Sequence, residues 1–182
     1  MIRLILLLAA ACVMAYGCPT IVSRAQWGAK SSKCTRRLST PVPNVVIHHT
    51  AGAACSSRSK CNTRVRNIQK FHMNSRGWCD IGYNFLIGED GAVYEGRGWT
   101  THGSHALTYN PISVGISFIG SFGGRAPNAA ALNAAKRLIA CGVSKNFIRR
   151  AHTVKGHRNV MKTKCPGNSL YKIIQRWPGF KA

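Results

Sequence analysis

Three short runs of apolar, largely β-branched residues stand out along the chain: NVVIHHT at 44–50, GYNFLIG at 82–88 and SVGISFIG at 113–120. Runs of this length and composition predict strands. Between the last two, GEDGAVY sets a turn at Asp90-Gly91 that leads into a further short strand. Elsewhere the spacing changes from strand-like to helical. Over 61–77, Val65, Ile68, Phe71 and Met73 recur near the helical period, opened by Asn62-Thr63 and closed by Gly77. Residues 126–142 are rich in Ala and Leu, with Pro127 near the start and Gly142 past the end, as helix termini prefer. In the tail NSLYKIIQRWPGF, Leu170, Ile173, Ile174 and Trp177 share one face, with Asn168 or Ser169 as cap and Pro178 as stop. Strands separated by helices predict an α/β domain, a central mixed β-sheet flanked by helices.

The first 17 residues, MIRLILLLAAACVMAYG, follow neither period. One basic residue, an apolar run of about a dozen and small residues at Ala15 and Gly17 describe a secretory signal peptide cut just before Cys18, too short to span a membrane. No other stretch is apolar for long enough. The expected product is a secreted, extracellular single domain, 18–182, with no membrane span, acting as a monomer.

Loss of the leader removes Arg3 and takes the formal charge from +22 to +21, opposed only by Asp80, Glu89, Asp90 and Glu95. Such a surface attracts polyanions, including anionic bacterial surfaces. Nucleic acid is disfavoured, because the basic residues are dispersed, no recognition motif occurs and the chain is exported. Cys12 also leaves, so seven cysteines remain: Cys18, Cys34, Cys55, Cys61, Cys79, Cys141 and Cys165. Exported chains pair their cysteines, and seven cannot all pair internally. The odd sulfur is an intermolecular bridge, a buried inert thiol or a metal ligand.

Metal chemistry has a candidate in GHRNVMKTKCPG, where His157 and Cys165 lie eight positions apart. A catalytic zinc takes three protein ligands, commonly His and Cys, and keeps one open position. A third ligand is available from VVIHHT, although neighbours on a strand point to opposite faces, so only one of His48 and His49 can take part. Neither HExxH nor CxxC is present. Four acids, two of them in the GEDG turn, serve the paired-carboxylate mechanism of glycoside hydrolysis poorly, and no GxSxG elbow occurs.

The stretches VVIHHTAG, FHMNSRGWCDIGYNFLIGEDGAVYEGRGW, SVGISFIGSF, GHRNVMKTKCPG and LYKIIQRWPGF resemble the short secreted peptidoglycan recognition proteins, over nearly the whole chain from Cys18 onward. The resemblance implies the fold of the phage lysozyme-type zinc amidases, the N-acetylmuramoyl-L-alanine amidase type 2 fold, with a peptidoglycan groove on one face. In the family's amidases the ligands of Zn2+ are the first histidine of the HHT-like motif, the histidine of GHR and the cysteine of CPG, where binding-only members typically carry serine. Carried over, these are His48, His157 and Cys165. The family's disulfides map onto Cys55–Cys61, Cys34–Cys79 and Cys18–Cys141, which leaves Cys165 free.

The implied activity is hydrolysis of the amide between N-acetylmuramic acid and L-alanine in peptidoglycan and muropeptides, in the service of innate immunity. Tyr83 matches the family's catalytic tyrosine, and Thr163 a position that carries threonine in amidases. His105, Trp78, Tyr94 and Trp99 are candidates to line the groove. Gly98-Trp99 is similar to a pair that accompanies preference for diaminopimelic-acid-type stem peptides. On the first helix His72 reads as solvated, and His49 as structural. The alternative is a recognition or cationic antibacterial protein whose catalysis is incidental.

Overall fold

The structure, a computed structural model, describes residues 17–182, and the expected leader, 1–17, lies outside them but for Gly17. Strand β2 (Val42–His49) runs through the sheet between two parallel neighbours that appear later in sequence, β5 (Ser113–Phe118) and β6 (Ile148–Gly156). Beyond β5 come β3 (Phe85–Ile87), parallel to it, then β4 (Val93–Glu95), antiparallel to β3, and β1 (Ile21–Val22), parallel to β4. The order is β1-β4-β3-β5-β2-β6, a mixed six-stranded sheet. The β3–β4 turn forms as its sequence predicts: Gly91 takes φ 75°, and the Asp90 carboxylate accepts the Ala92 N–H at 3.0 Å.

Alternation along the strands sorts side chains into two cores. Val45 and Ile47 of β2, Phe85 and Ile87 of β3, and Val114, Ile116 and Phe118 of β5 pack beneath α3 (Ala129–Ser144) and α4 (Asn168–Ile174). Leu86 and Tyr94, facing the other way, form a smaller core with Val22, with Trp27 of α1 (Arg24–Trp27) and with Cys61 and Val65 of α2 (Arg58–Asn74). The second face is therefore covered by α1 and α2 over its β1–β4–β3 half. Over the β5 and β2 half, Gly115, Ser117 and His48 face the same way without a helix above them.

Strand β6 does not stand out in the sequence, because IRRAHTVKG buries only Ile148, Val154 and Gly156. It is an edge strand, and its charged residues and its pairing with residues 179–181 (Val154 N–H to Gly179 O, 2.9 Å) protect that edge. Helix α2 also turns differently from the expectation. Gln69 and His72 are buried and Phe71 is exposed, because the polar pair has partners beneath the helix: Gln69 bonds Asp80 and the Lys30 backbone, and the Gly82 N–H donates to His72 Nδ1. Helix α4 takes Gly167, φ 90°, as its N-cap in place of Asn168 or Ser169. Disulfides join Cys18 to Cys141, Cys34 to Cys79 and Cys55 to Cys61, leaving Cys165 as the free cysteine among the described residues. No described helix is long and apolar enough to cross a membrane.

Candidate metal centre and its groove

The C-terminal end of β2 delivers His48 and His49 to opposite faces, as pleating requires. His48 points to the face left open by α2 and is 1% exposed. His157 follows the last residue of β6, the parallel neighbour of β2, so both histidines emerge at the same end of adjacent strands. Cys165 is brought back to them by a closed loop. The Arg158 N–H donates to Cys165 O at 2.9 Å, the Arg158 guanidinium donates to Lys164 O and Asn168 Oδ1, and the Met161 N–H donates to His157 O. Thr163 adds a local brace, its hydroxyl accepting the Cys165 N–H at 3.2 Å.

One ligand atom from each of His48, His157 and Cys165 lies within 4.8 Å of the other two. Cys165 Sγ is 3.9 Å from His48 Nδ1. Around one tetrahedral zinc, sulfur and nitrogen donors stand about 3.6 Å apart, given Zn–S of ~2.3 Å and Zn–N of ~2.05 Å. Two imidazoles and a thiol outside the disulfide framework, with no carboxylate among them, are a donor set that suits zinc.

Electrostatics reinforces this for the nitrogens and opposes it for the sulfur. Burial, followed by the neighbouring histidines, holds the His48 pKa well below the ordinary range. Burial likewise brings His157 down to about 4, so both rings are neutral and present lone pairs near neutral pH. Burial pushes the Cys165 thiol up to about 11, although the His49 N–H reaches its sulfur at 3.3 Å. A divalent ion must therefore displace a proton from Cys165 as it binds.

These three residues sit in a groove of about 820 Å³. Tyr83 lines it, its ring centroid 5.3 Å from that of His48, and burial, then Cys165, raise its phenol to about 12. Thr163, His105 and Trp78 line it as well. Gly82 lets Trp78 lie against the backbone, since a Cβ there would come 2.6 Å from its ring. Tyr94, Gly98 and Trp99 lie elsewhere. Tyr94 is fully buried in the smaller core and donates to Asp90 Oδ2, while Trp99 packs on Phe85 and Phe147 beside the larger core. Gly98 O accepts from the buried Asn84 side chain. The preference drawn from Gly98-Trp99 thus has no contact with the groove behind it.

Several groove residues had no signal in the sequence. Phe71, 49% exposed, reads as a core position of an amphipathic helix, and Arg76 and Lys164 are indistinguishable among 26 basic residues. Asn110 shapes the wall through two backbone bonds, accepting the His105 and Ala106 N–H groups at 2.8 Å each. His49, outside the donor set, accepts the Phe122 N–H at Nδ1.

Comparison with known proteins finds relatives along most of the chain. The N-acetylmuramoyl-L-alanine amidase family matches residues 38–168. Peptidoglycan recognition protein 1 of Bos taurus is 53% identical over 168 residues, covering 92% of this chain and 88% of that protein. Among solved structures, human PGRP-IBETAC in complex with glycosamyl muramyl pentapeptide superposes with a TM-score of 0.88 at 46% identity, over 91% of this chain and 100% of that one. Peptidoglycan recognition protein-LE in complex with tracheal cytotoxin, a monomeric diaminopimelic acid-type peptidoglycan, gives 0.87 at 45% identity, over 88% and 95%. On these matches and on its mixed sheet flanked by helices, the chain belongs to the N-acetylmuramoyl-L-alanine amidase family, among the peptidoglycan recognition proteins.

Proposed function

We propose that this chain is an exported protein that binds bacterial peptidoglycan and hydrolyses the amide joining N-acetylmuramic acid to L-alanine, with Zn2+ held by His48, His157 and Cys165. The observation that carries the reading is the convergence of one unpaired cysteine and two neutral histidines inside the groove. Zinc bound there would supply Lewis acidity for the scissile carbonyl and would lower the pKa of a bound water toward about 7.

The chain's own residues do the rest. Arg158 and Thr163 hold the loop that presents Cys165. Tyr83, with its phenol raised to about 12, stays protonated at every physiological pH and donates a hydrogen bond to the oxygen that gains charge as the amide is attacked. No Asp or Glu lines the groove, which favours amide over glycosidic cleavage. Phe71 and Trp78 offer apolar faces to sugar rings and side chains, and Arg76 and Lys164 supply positive charge to the carboxylates of a stem peptide.

Three disulfides suit an oxidising, extracellular setting. The large positive charge supports a second contribution, adhesion to anionic bacterial surfaces, in which recognition matters more than cutting. Incubation of the purified protein with defined muropeptides, with and without chelator, separates the readings. Release of free stem peptide that stops when zinc is removed is the expected result, and release that persists without zinc refutes the zinc-dependent reading. A zinc-loaded protein that binds and never cuts leaves recognition as the function.

A further inference from the structure

We propose that His105 is a positioning residue that fixes the ring and the tautomer of His48, an inference that rests on reading His48, His157 and Cys165 as a zinc centre. His105 Nδ1 lies 3.0 Å from His48 Nε2, with the two rings edge to face at 85°. The other nitrogen of His48, Nδ1, faces the Cys165 sulfur. A neutral imidazole carries one proton. For Nδ1 to offer its lone pair to a cation, the proton must sit on Nε2, and His105 Nδ1 is placed to accept it. The reverse arrangement, with His105 donating, would put the His48 proton on Nδ1, where the cation belongs. His105 must then carry its own proton on Nε2.

The slot around His105 is built to prevent the ring from turning. A Cβ on Gly115 of β5 would stand 2.5–2.6 Å from its Cδ2, Cγ and Nε2, and a Cβ on Gly103 would meet Cδ2 and stand 2.8 Å from Nε2. Below the ring, the His105 N–H is anchored to Asn110 Oδ1. His105 is 7% exposed, and its Nε2 is buried without a protein partner. An unpaired buried N–H is costly, and a hydrocarbon side chain would fill the slot without that cost. The bond to His48 is what an imidazole adds there. Partners that orient a metal-binding histidine through its second nitrogen are worth about 10–100-fold in metal affinity.

The test is zinc affinity of the purified protein, measured by competition with a chromogenic chelator at pH 7.5. Four proteins are compared: wild type, His105→Leu, His105→Asn and Gly103→Ala. His105→Leu removes the acceptor and is expected to weaken zinc binding about 10–100-fold. The Oδ1 of asparagine takes the place of Nδ1, so His105→Asn should keep most of the affinity. Gly103→Ala leaves every imidazole intact but displaces the His105 ring, and should weaken zinc binding too; it decides the matter if His105→Leu does not fold. A residue that only touched peptidoglycan would lower muropeptide binding and leave zinc affinity unmoved, so wild-type zinc affinity in both His105→Leu and Gly103→Ala overturns the inference. A wild-type protein that takes up no zinc overturns the centre itself, and the inference with it.

Discussion

Binding of zinc to this site should expel one proton from the Cys165 sulfur across most of the accessible pH range, and the structure sets the size of the effect. Burial pushes the Cys165 thiol up to about 11 in the metal-free protein, while His157 is brought down to about 4 and His48 well below its ordinary value. Between about pH 5 and pH 10 the free site therefore holds one proton that the metal must expel, the one on sulfur. At pH 7 the thiol is about four units below its pKa, and at ~1.4 kcal/mol per unit its ionisation costs about 5 kcal/mol. An ordinary thiol at 9.0 would cost about 3 kcal/mol by the same conversion, so burial weakens apparent affinity about 100-fold at neutral pH. The sign follows from the competition: up to about pH 7 raising pH tightens binding, about tenfold per unit, because protons and metal contend for the same sulfur. Calorimetric titration in buffers of different ionisation enthalpy counts the protons directly. About one proton per zinc at pH 6, from the thiol, and close to two at pH 8, where a zinc-bound water of pKa about 7 also ionises, is the expected result. A count near zero means the thiolate is already formed, and two or three at pH 6 means the imidazoles are charged; either refutes the electrostatic account.

Tyr83→Phe should lower amide hydrolysis about 10²–10³-fold, as loss of one oxyanion donor does, while zinc content and muropeptide binding stay near wild type; an unchanged rate removes Tyr83 from the mechanism. The metal-free protein should weaken in mild acid. His72 is 8% exposed, accepts the Gly82 N–H and has its pKa lowered to about 4 by burial, so its contribution is present above pH 6.5 and is lost as pH falls through 4, about 3 kcal/mol over that window. Urea unfolding at pH 7 and pH 4.5 measures it, and equal stabilities at the two would contradict it. Replacing Cys18 and Cys141 together by serine opens a loop with a sequence separation of 123, and should cost about 4–5 kcal/mol; a change below 1 kcal/mol in denaturant unfolding argues against a chain-entropy role.

The sequence was most legible where strands are wholly buried. VVI, FLI and SVGISF read as strands because they lie inside the sheet between neighbouring strands, with their apolar residues packed into the cores, and they became β2, β3 and β5. The edge strand β6 was hidden, since an edge exposed to solvent is kept charged, yet it is β6 that carries His157 to the side of His48. The candidate ligands could be named from local motifs and family resemblance, but the bond between His48 and His105 joins residues 57 apart, and no pattern along the chain marks it. Helix α2 misled for a related reason. Counting apolar residues placed Phe71 inside and His72 outside, whereas His72 and Gln69 are buried because hydrogen bonds await them, and Phe71 is left free to line the groove. Trp78 and Trp99 looked alike as candidates. One lies over Gly82 in the groove and the other between Phe85 and Phe147, a distinction made by the fold alone.

The central claim is that Cys165, left out of the disulfides, joins His48 and His157 on one divalent ion. Cobalt substitution reads the sulfur directly, because a thiolate ligand gives an intense charge-transfer band in the near ultraviolet that oxygen and nitrogen ligands do not. One equivalent of cobalt should bind with that band in the wild-type protein and without it in Cys165→Ser. Stoichiometric cobalt binding with no thiolate band in the wild-type chain would contradict the account.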